Sequence, residues 1–227
     1  MPHRSGGSQA GTLTKVLAKV IEEAAPPALV ARAARLFGRL GEQRMKEGYF
    51  TTFWLPQGAE PAHAFEELAI SLRPHGFAYA RKAAREITGL EWWLGRSYTN
   101  QVPLGFHFDL DVQGRGAVRY PVVSSVFFFN EVKGGQLAIT DQRPGARGKP
   151  VPAQPTQLET VAPAPNRYAL FDGQLFHGVL DARGQVPGRP LPGPRGRMRR
   201  TLVINYWSER PSEVPEWGAS RAYRALR

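Results

Sequence analysis

The segment Gly105-Phe106-His107-Phe108-Asp109-Leu110-Asp111 determines the organisation that we predict for this chain. In an extended strand, side chains alternate between the two faces, so His107 and Asp109 point to the same side. An imidazole and a carboxylate aimed at one point are two thirds of a facial metal site built from two histidines and one carboxylate. His177, in the strand-like stretch 175–179, is the candidate third ligand. Asp111 shares the face of Asp109 and is the weaker candidate, expected beside the ligands or in solvent.

Composition limits the kinds of site that the chain can contain. It has 227 residues, a formal net charge of +11 and no cysteine. Without cysteine there is no disulfide, thiolate ligand or thiol nucleophile, which leaves histidines and carboxylates as metal ligands. No run is long enough to span a membrane and the first residues lack the apolar core of a signal peptide, so we expect a cytoplasmic protein without a membrane partner. The sequence predicts no particular oligomeric state.

The positive charge is concentrated in one Pro/Gly-rich stretch. Its arginines are Arg183, Arg189, Arg195, Arg197, Arg199 and Arg200. No aromatic side chains are interleaved with them, which disfavours a nucleic-acid partner. An acidic small molecule or peptide, or solubility alone, accounts for the charge equally well. The two long connections, 142–156 and 181–199, are predicted to be either functional lids or surface loops without a role.

Hydrophobic periodicity divides the chain into a helical flank and a β core. We predict a disordered tail over 1–11, a flank with one or two strands over 12–90, the core over 91–210 and a C-terminal tail over 211–227. Within the flank, helices are predicted over 12–24, from Pro26-Pro27 onward, from Pro61 onward and over 77–88, with a first strand over 49–55. His63 and His75 are expected to be ordinary surface or helix-end residues.

Short segments rich in β-branched and aromatic residues follow from residue 91. Eight strands are predicted, near 92–99, 106–112, 119–130, 135–141, 157–163, 167–172, 175–180 and 200–207. Gly134-Gly135 and Asp172-Gly173 predict tight hairpins, and the second would bring His177 into the core. The expected fold is mainly β with flanking helices: a double-stranded β-helix, or jelly roll, with the N-terminal helices packed on its larger sheet.

The last predicted strand begins with two arginines, Arg199 and Arg200. Alternation places Arg200 on one face with apolar side chains, and a charged residue at the head of such a face needs an anion as partner. Three protein ligands leave open positions on a metal for a bidentate 2-oxo acid and oxygen. Arg200 is therefore the candidate that binds the far carboxylate of that acid, and Arg199 replaces it if the register differs by one residue.

Several motifs occur in an order that resembles the 2-oxoglutarate- and Fe(II)-dependent dioxygenases, in the prolyl 4-hydroxylase-like branch. The resemblance covers roughly 92–207. It consists of Tyr98 nine residues before His107, Val126-Phe127-Phe128-Phe129-Asn130 followed by Gly134-Gly135, Ala169-Leu170-Phe171 before His177-Gly178-Val179, and an arginine opening the strand that ends at Trp207.

The resemblance implies particular cofactors and site residues. His107, Asp109 and His177 would bind Fe(II), Arg200 would bind 2-oxoglutarate, and Tyr98 would lie in the pocket; no catalytic side chain beyond the metal ligands is implied. Oxygen is the second co-substrate, and ascorbate is a candidate auxiliary reductant. Some relatives carry Tyr and Thr where this chain has Phe128 and Ile204, so the carboxylate is expected to find its extra donor at Ser124, Thr140 or Tyr98.

The implied activity is hydroxylation of an unactivated C–H bond in a peptide or protein residue or in a small metabolite, coupled to decarboxylation of 2-oxoglutarate to succinate. A different activity within the superfamily would be that of an AlkB-like nucleic-acid demethylase, but that branch usually carries a second arginine six residues after the first, where this chain has Tyr206. A cupin-like binding or isomerase module, or a zinc hydrolase with the same three ligands, would also fit the ligand set. Neither of these needs a 2-oxo acid.

Overall fold

The protein is described by a computed structural model that covers residues 16–47, 51–102, 105–113, 117–194, 196–220 and 226. The tail predicted over 1–11 lies outside these residues. The helices are α1 (Pro27–Glu47) and α2 (Ala64–Ala80). The strands are β1 (Ala18–Ile21), β2 (Phe53–Pro56), β3 (Gly89–Tyr98), β4 (Asp111–Gln113), β5 (Ala117–Arg119), β6 (Val123–Phe128), β7 (Leu137–Thr140), β8 (Arg143–Pro144), β9 (Pro150–Val151), β10 (Leu158–Val161), β11 (Arg167–Asp172), β12 (His177–Val179) and β13 (Met198–Trp207).

Two sheets form the core of the molecule. The larger has six strands in the order β1-β11-β6-β13-β3-β2, and the smaller has three in the order β10-β7-β12. A bridge between His107 and His177 adds one more segment beside β12. From β3 onward the chain passes repeatedly between the two sheets, and the order of strands within each sheet is that of a jelly roll. The predicted fold class is therefore confirmed.

The two helices pack on the outer face of the larger sheet. Phe37 of α1 contacts the ring of Phe129, which follows β6, and α2 packs against β6 and β13. Apolar residues of α1 recur every three or four positions, as predicted, and Pro27 is its first residue. No helix among the described residues combines the length and the apolar character needed to cross a bilayer.

The helix predicted over 12–24 is wrong. Its described part contains β1, which pairs antiparallel with β11 so that Ala18 lies opposite Phe171. Leu17 and Ala18 are buried while Val20 is 40% exposed, so the short apolar run packs at a sheet edge rather than along a helix face. Pairing with a distant strand outweighs the local period of the sequence.

The two helices predicted from Pro61 and over 77–88 are also corrected. A single helix, α2, continues through Pro74 to Ala80. A 3₁₀ turn over Arg81–Ala83 follows, and Ala84 then adopts a left-handed conformation with φ +51°, which ends the helical path. His63 caps the start of α2, because its side chain accepts a hydrogen bond from the Glu66 amide.

Neither predicted hairpin forms. Gly134-Gly135 connects β6 to β7, and Asp172-Gly173 connects β11 to β12, but in both cases the two strands belong to different sheets. At each of these glycine turns the chain therefore passes from one sheet to the other. The second turn still delivers His177 to the small sheet. The strand predicted over 119–130 is divided into β5 and β6 near Pro121, which lacks the amide donor that a ladder needs.

Candidate metal centre

His107 and His177 lie side by side on neighbouring segments of the small sheet. Each accepts a backbone hydrogen bond from the other: His107 N to His177 O is 2.8 Å and His177 N to His107 O is 3.1 Å. The ring of Phe106 covers Gly178 on the outer face of the sheet, where a Cβ on the glycine would lie 2.5 Å from the ring. The absence of a side chain at 178 thus allows the two segments to approach.

The Nδ1 atom of each histidine ring is hydrogen-bonded to a backbone carbonyl. His107 Nδ1 lies 2.9 Å from Gly105 O, and His177 Nδ1 lies 2.9 Å from Leu175 O. A carbonyl only accepts, so each Nδ1 carries the proton and each Nε2 presents a lone pair. Hydrogen bonds of this kind are the usual means by which proteins orient metal-binding histidines.

Asp109 completes the group predicted from the sequence. Its Oδ1 lies 3.5 Å from His107 Nε2 and its Oδ2 lies 3.5 Å from His177 Nε2. One ligand atom from each residue falls within 4.8 Å of the others. Two ligands bound at right angles at roughly 2.1 Å are about 3 Å apart, so small side-chain adjustments would place all three on one ion. The residues present therefore fit a divalent metal.

Electrostatics favour the metal-binding forms of Asp109 and His177, while for His107 the effect of burial is outweighed by Asp109 and the Gly105 carbonyl, which raise the pKa of its imidazole. Burial disfavours the charged form of Asp109, but the two histidines and the Ser124 hydroxyl outweigh it and hold the pKa of the carboxyl below its usual range. Burial lowers the pKa of His177, against the attraction of Asp109, so this imidazole is neutral near pH 7. An ionised carboxylate and a neutral imidazole are the forms that act as ligands.

The three residues line a cavity of about 150 Å³ between the two sheets. Trp93, Val126 and Val203 supply apolar wall. The other polar lining residues belong to the larger sheet: Arg96, Ser97, Arg199 and Thr201. A small cavity with apolar walls and a few converging polar groups is typical of a site for a small molecule.

Arg199, and not Arg200, reaches this cavity. Arg199 is 4% exposed, donates through Nε to Gly135 O at 2.8 Å and packs over the ring of Phe128. Arg200 is on the opposite face of β13, where its guanidinium lies 5.9 Å from the ring centre of Phe37. Of the two arginines that the sequence offers as anchor, Arg199 therefore lies at the cavity and Arg200 lies away from it, because the face that carries Arg200 packs under the helices.

The three donors predicted beside the arginine are placed elsewhere. Ser124 donates to Asp109 Oδ2 at 2.9 Å, so it supports a ligand rather than a co-substrate. The Thr140 hydroxyl oxygen lies 3.0 Å from Phe176 O and 3.1 Å from Gln142 Oε1, so its single proton is shared between these two acceptors. Tyr98 does not line the cavity, because alternation along β3 turns the neighbouring Ser97 inward instead.

Asp111 and the histidines of the flank take no part in the centre. Asp111 is buried and accepts from Arg119 Nη2 at 2.8 Å and from Ser212 N at 3.0 Å, so it is neither solvated nor beside the ligands. Burial lowers the pKa of His63 to about 4 at its helix end. His75 is half-buried inside α2.

Sequence reasoning missed two polar residues on the cavity side of the larger sheet, of which Thr201 lines the cavity. Thr201 accepts a hydrogen bond from Arg199 Nη1 at 3.4 Å, and its own hydroxyl donates to Gly95 O at 3.2 Å. Glu91, buried across from Asn205 on β13, accepts from Trp207 Nε1 at 2.9 Å. Burial raises the pKa of Glu91 to about 7, and the charge of Asp109 adds to the effect. Two-residue alternation from Arg199 would have found Thr201; no sequence signal points to Glu91.

Several solved structures are similar to this chain, although no family model and no curated protein matches it. A prolyl-4-hydroxylase from Pseudomonas putida is similar with 22% identity and a TM-score of 0.47, over 84% of this chain and 87% of that one. HygX from Streptomyces hygroscopicus, solved with nickel and 2-oxoglutarate bound, is similar with 16% identity and a TM-score of 0.48, over 88% and 85%.

A viral collagen prolyl hydroxylase from Paramecium Bursaria Chlorella virus-1 is similar with 9% identity and a TM-score of 0.46, over 92% of this chain and 99% of that one. Prolyl hydroxylases are thus among the solved structures that the chain resembles, as they are among the proteins that its motifs resemble.

Proposed function

We propose that this protein is an Fe(II)- and 2-oxoglutarate-dependent dioxygenase that hydroxylates an unactivated C–H bond of a peptide or protein residue or of a small metabolite. The observation that carries the proposal is the position of Arg199, a buried cation that lines the same cavity of about 150 Å³ as the His-Asp-His group. A ligand with a chelating end for the metal and a remote carboxylate for Arg199 would bind to both groups. 2-Oxoglutarate is such a ligand.

Fe(II) fits the donor set. Two neutral imidazoles and one carboxylate on one side of an ion, with open positions opposite, are typical of non-haem iron oxygenases. His107, Asp109 and His177 would hold the metal, and Ser124 would fix the orientation of the carboxylate. When bound, the iron supplies the activation of oxygen that the reaction needs.

Arg199 needs an anion. Among the described residues no acidic side chain pairs with it; its hydrogen bonds go to the Gly135 carbonyl and the Thr201 hydroxyl. Burial without a counter-charge lowers the pKa of its guanidinium to about 10, which still leaves it charged at neutral pH. A buried unpaired charge is destabilising, and a carboxylate that binds its paired donors removes that penalty. Thr201 would orient the guanidinium for such a carboxylate.

The reaction consumes oxygen, 2-oxoglutarate and the substrate C–H group, and yields carbon dioxide, succinate and the hydroxylated substrate. The carboxylate bound by Arg199 is retained in succinate, so the same residue would hold co-substrate and product. Trp93, Val126 and Val203 would limit the access of water to the reacting atoms. A zinc hydrolase or a cupin-like binding module with these ligands would give Arg199 no anion to bind.

The proposal is tested by the visible charge-transfer band of the Fe(II)–2-oxoglutarate chelate under anaerobic conditions. Wild type should develop the band, and the variants Asp109→Ala and His177→Ala should not. Asp111→Asn is the matched control: it alters a carboxylate two residues away that pairs with Arg119, so its band should equal that of wild type. A folded, Fe(II)-loaded wild type that gives no band with 2-oxoglutarate would contradict the proposal.

A further inference from the structure

One basic segment has no role in the metal centre. We call residues 182–194 and 196–198 the arginine loop; it connects β12 to β13. These residues include Arg183, Arg189 and Arg197, four prolines, no acidic residue and no aromatic residue. Arg189 and Arg197 are exposed, and among the described residues neither has an acidic partner. The loop therefore presents positive charge that the fold itself does not neutralise.

The arginine loop is fixed beside the cavity. Ala182 N donates to Thr99 O at 2.8 Å, and Leu191 N donates to Asn100 O at 2.8 Å. The Asn100 side chain donates in turn to Pro194 O at 3.1 Å. Thr99 and Asn100 belong to the segment between Ser97 and Val102, both of which line the cavity. The loop is thus tied to one wall of the proposed active site.

The acidic residues around the loop do not cancel its charge. Asp181, at its start, is 4% exposed, and its Oδ1 accepts from the amides of Arg183 and Gln185. Its Oδ2 lies 3.5 Å from Arg183 Nη2, an arginine whose side chain is still 62% exposed. In the neighbouring turn, the exposed Glu131 is balanced by the exposed Lys133. The surface beside the cavity wall is left with a net positive charge.

We propose that the arginine loop is the docking surface for an acidic polypeptide. The residue that is hydroxylated would be next to the acidic segment of that polypeptide. This assignment of the substrate class rests on the proposed function. The prolines restrict the backbone of the arginine loop, so less backbone entropy is lost when binding immobilises the loop and its arginines. Exposed guanidinium groups bind carboxylates through paired hydrogen-bond donors.

Composition favours a polypeptide over a nucleic acid. Proteins that hold single strands use aromatic side chains on which bases stack, and the arginine loop has none. An acidic peptide needs only charge and hydrogen-bond donors, which the loop supplies. A nucleic-acid partner is therefore one of the outcomes that the test distinguishes.

The test measures binding of labelled ten-residue peptides of alternating Glu and Gly, Gln and Gly, or Lys and Gly, by fluorescence anisotropy. Metal-free protein without 2-oxoglutarate is used, so the result does not depend on the chelate. The Glu peptide should bind more than tenfold tighter than the Gln peptide, and less tightly as salt rises, because the attraction is electrostatic. A triple variant, Arg183→Ala with Arg189→Ala and Arg197→Ala, should bind it about tenfold more weakly.

The matched control removes three cations at the other end of β13: Arg81→Ala, Lys82→Ala and Arg85→Ala. These residues are exposed and follow α2, near Thr88, whose amide donates to Trp207 O. The control triple should bind the Glu peptide within twofold of wild type, and both triples should keep wild-type affinity for 2-oxoglutarate in the chelate titration.

Three outcomes would overturn the docking proposal: no binding of the Glu peptide by wild type, equal weakening in both triples, or tighter binding of a dT10 oligonucleotide that the loop triple alone loses. The last outcome would assign the loop to nucleic acid. Failure of the chelate band with intact peptide docking would instead remove the proposed function, so the two failures are distinguishable.

Discussion

The two faces of β13 place arginine side chains in different environments. On one face Arg199, Thr201 and Val203 line the cavity. On the other, Leu202, Ile204 and Tyr206 join the apolar core beneath the helices, and Arg200 at the start of that face lies over Phe37. Both guanidinium groups lie over an aromatic ring, but Arg199 is buried and also donates to Gly135 O and the Thr201 hydroxyl, whereas Arg200 is half-buried.

This difference shows that position along a strand, more than residue type, decides the role of a charged side chain. Two adjacent arginines have the same chemistry and local sequence. Because side chains alternate, a shift of one residue exchanges the cavity for the helix interface. The contrast predicts that substitutions on the cavity face alter ligand binding, while those on the helix face alter stability alone.

The largest effect is expected from the arginines themselves. Arg199→Ala should weaken 2-oxoglutarate binding about 100-fold, because it removes a buried cation that lines the cavity and leaves the carboxylate without its paired donors. Arg200→Ala is the matched control and should bind 2-oxoglutarate within twofold of wild type. Both are measured by titration of the anaerobic Fe(II) protein. Equal losses in the two variants would show that the faces are not distinct.

A second effect concerns Glu91, which lies across from Asn205 on the cavity side. Its folded pKa of about 7 is above the ordinary value of 4.5, so folded protein keeps a proton that unfolded protein releases. Stability should therefore fall as pH rises from about 4.5 to 7. Glu91→Gln should reduce this fall by on the order of 2 kcal/mol, measured by urea unfolding at pH 4.5 and 7.5. An unchanged pH dependence in the variant would contradict the assignment.

The smallest effect is expected on the helix face. The Tyr206 hydroxyl lies 2.9 Å from the Tyr168 hydroxyl and donates to Leu72 O at 3.3 Å. Tyr206→Phe should lower the free energy of unfolding by about 1 kcal/mol, because buried hydroxyl and carbonyl groups lose a partner. Its 2-oxoglutarate affinity and its pH dependence should match wild type. A loss of co-substrate affinity in this variant would show that the two faces are coupled.

The fold class could be predicted because the β core has strong local signals. Alternating apolar residues between short turns indicated a jelly roll, and the three-and-four spacing of apolar residues after Pro27 indicated α1. The errors occurred where distant pairing decides the structure. β1 forms because residues 18–21 pair with the edge of β11. The Gly134-Gly135 and Asp172-Gly173 turns lead from one sheet to the other because the strands that they connect pair in different sheets. Neither fact is local to the sequence.

The candidate site could be predicted in part for the same reason. The structure brings His107, Asp109 and His177 together as expected, although residues 108–110 of the strand predicted over 106–112 belong to no strand and β4 begins only at Asp111. Arg200 was preferred to Arg199 as the candidate anchor, because the sequence does not say which face of β13 the helices cover. Glu91 could not be found, since its raised pKa arises from burial that only the assembled core produces.

The paired backbone hydrogen bonds between His107 and His177 have a consequence for how the centre is lost. Exchange of either amide with solvent requires the same local opening, because each amide is held by the other residue's carbonyl. One fluctuation would then separate His177 from His107 and Asp109, which stay together on the other segment. The centre should therefore disassemble as a single cooperative unit, with metal escape and amide exchange at residues 107 and 177 governed by the same opening equilibrium.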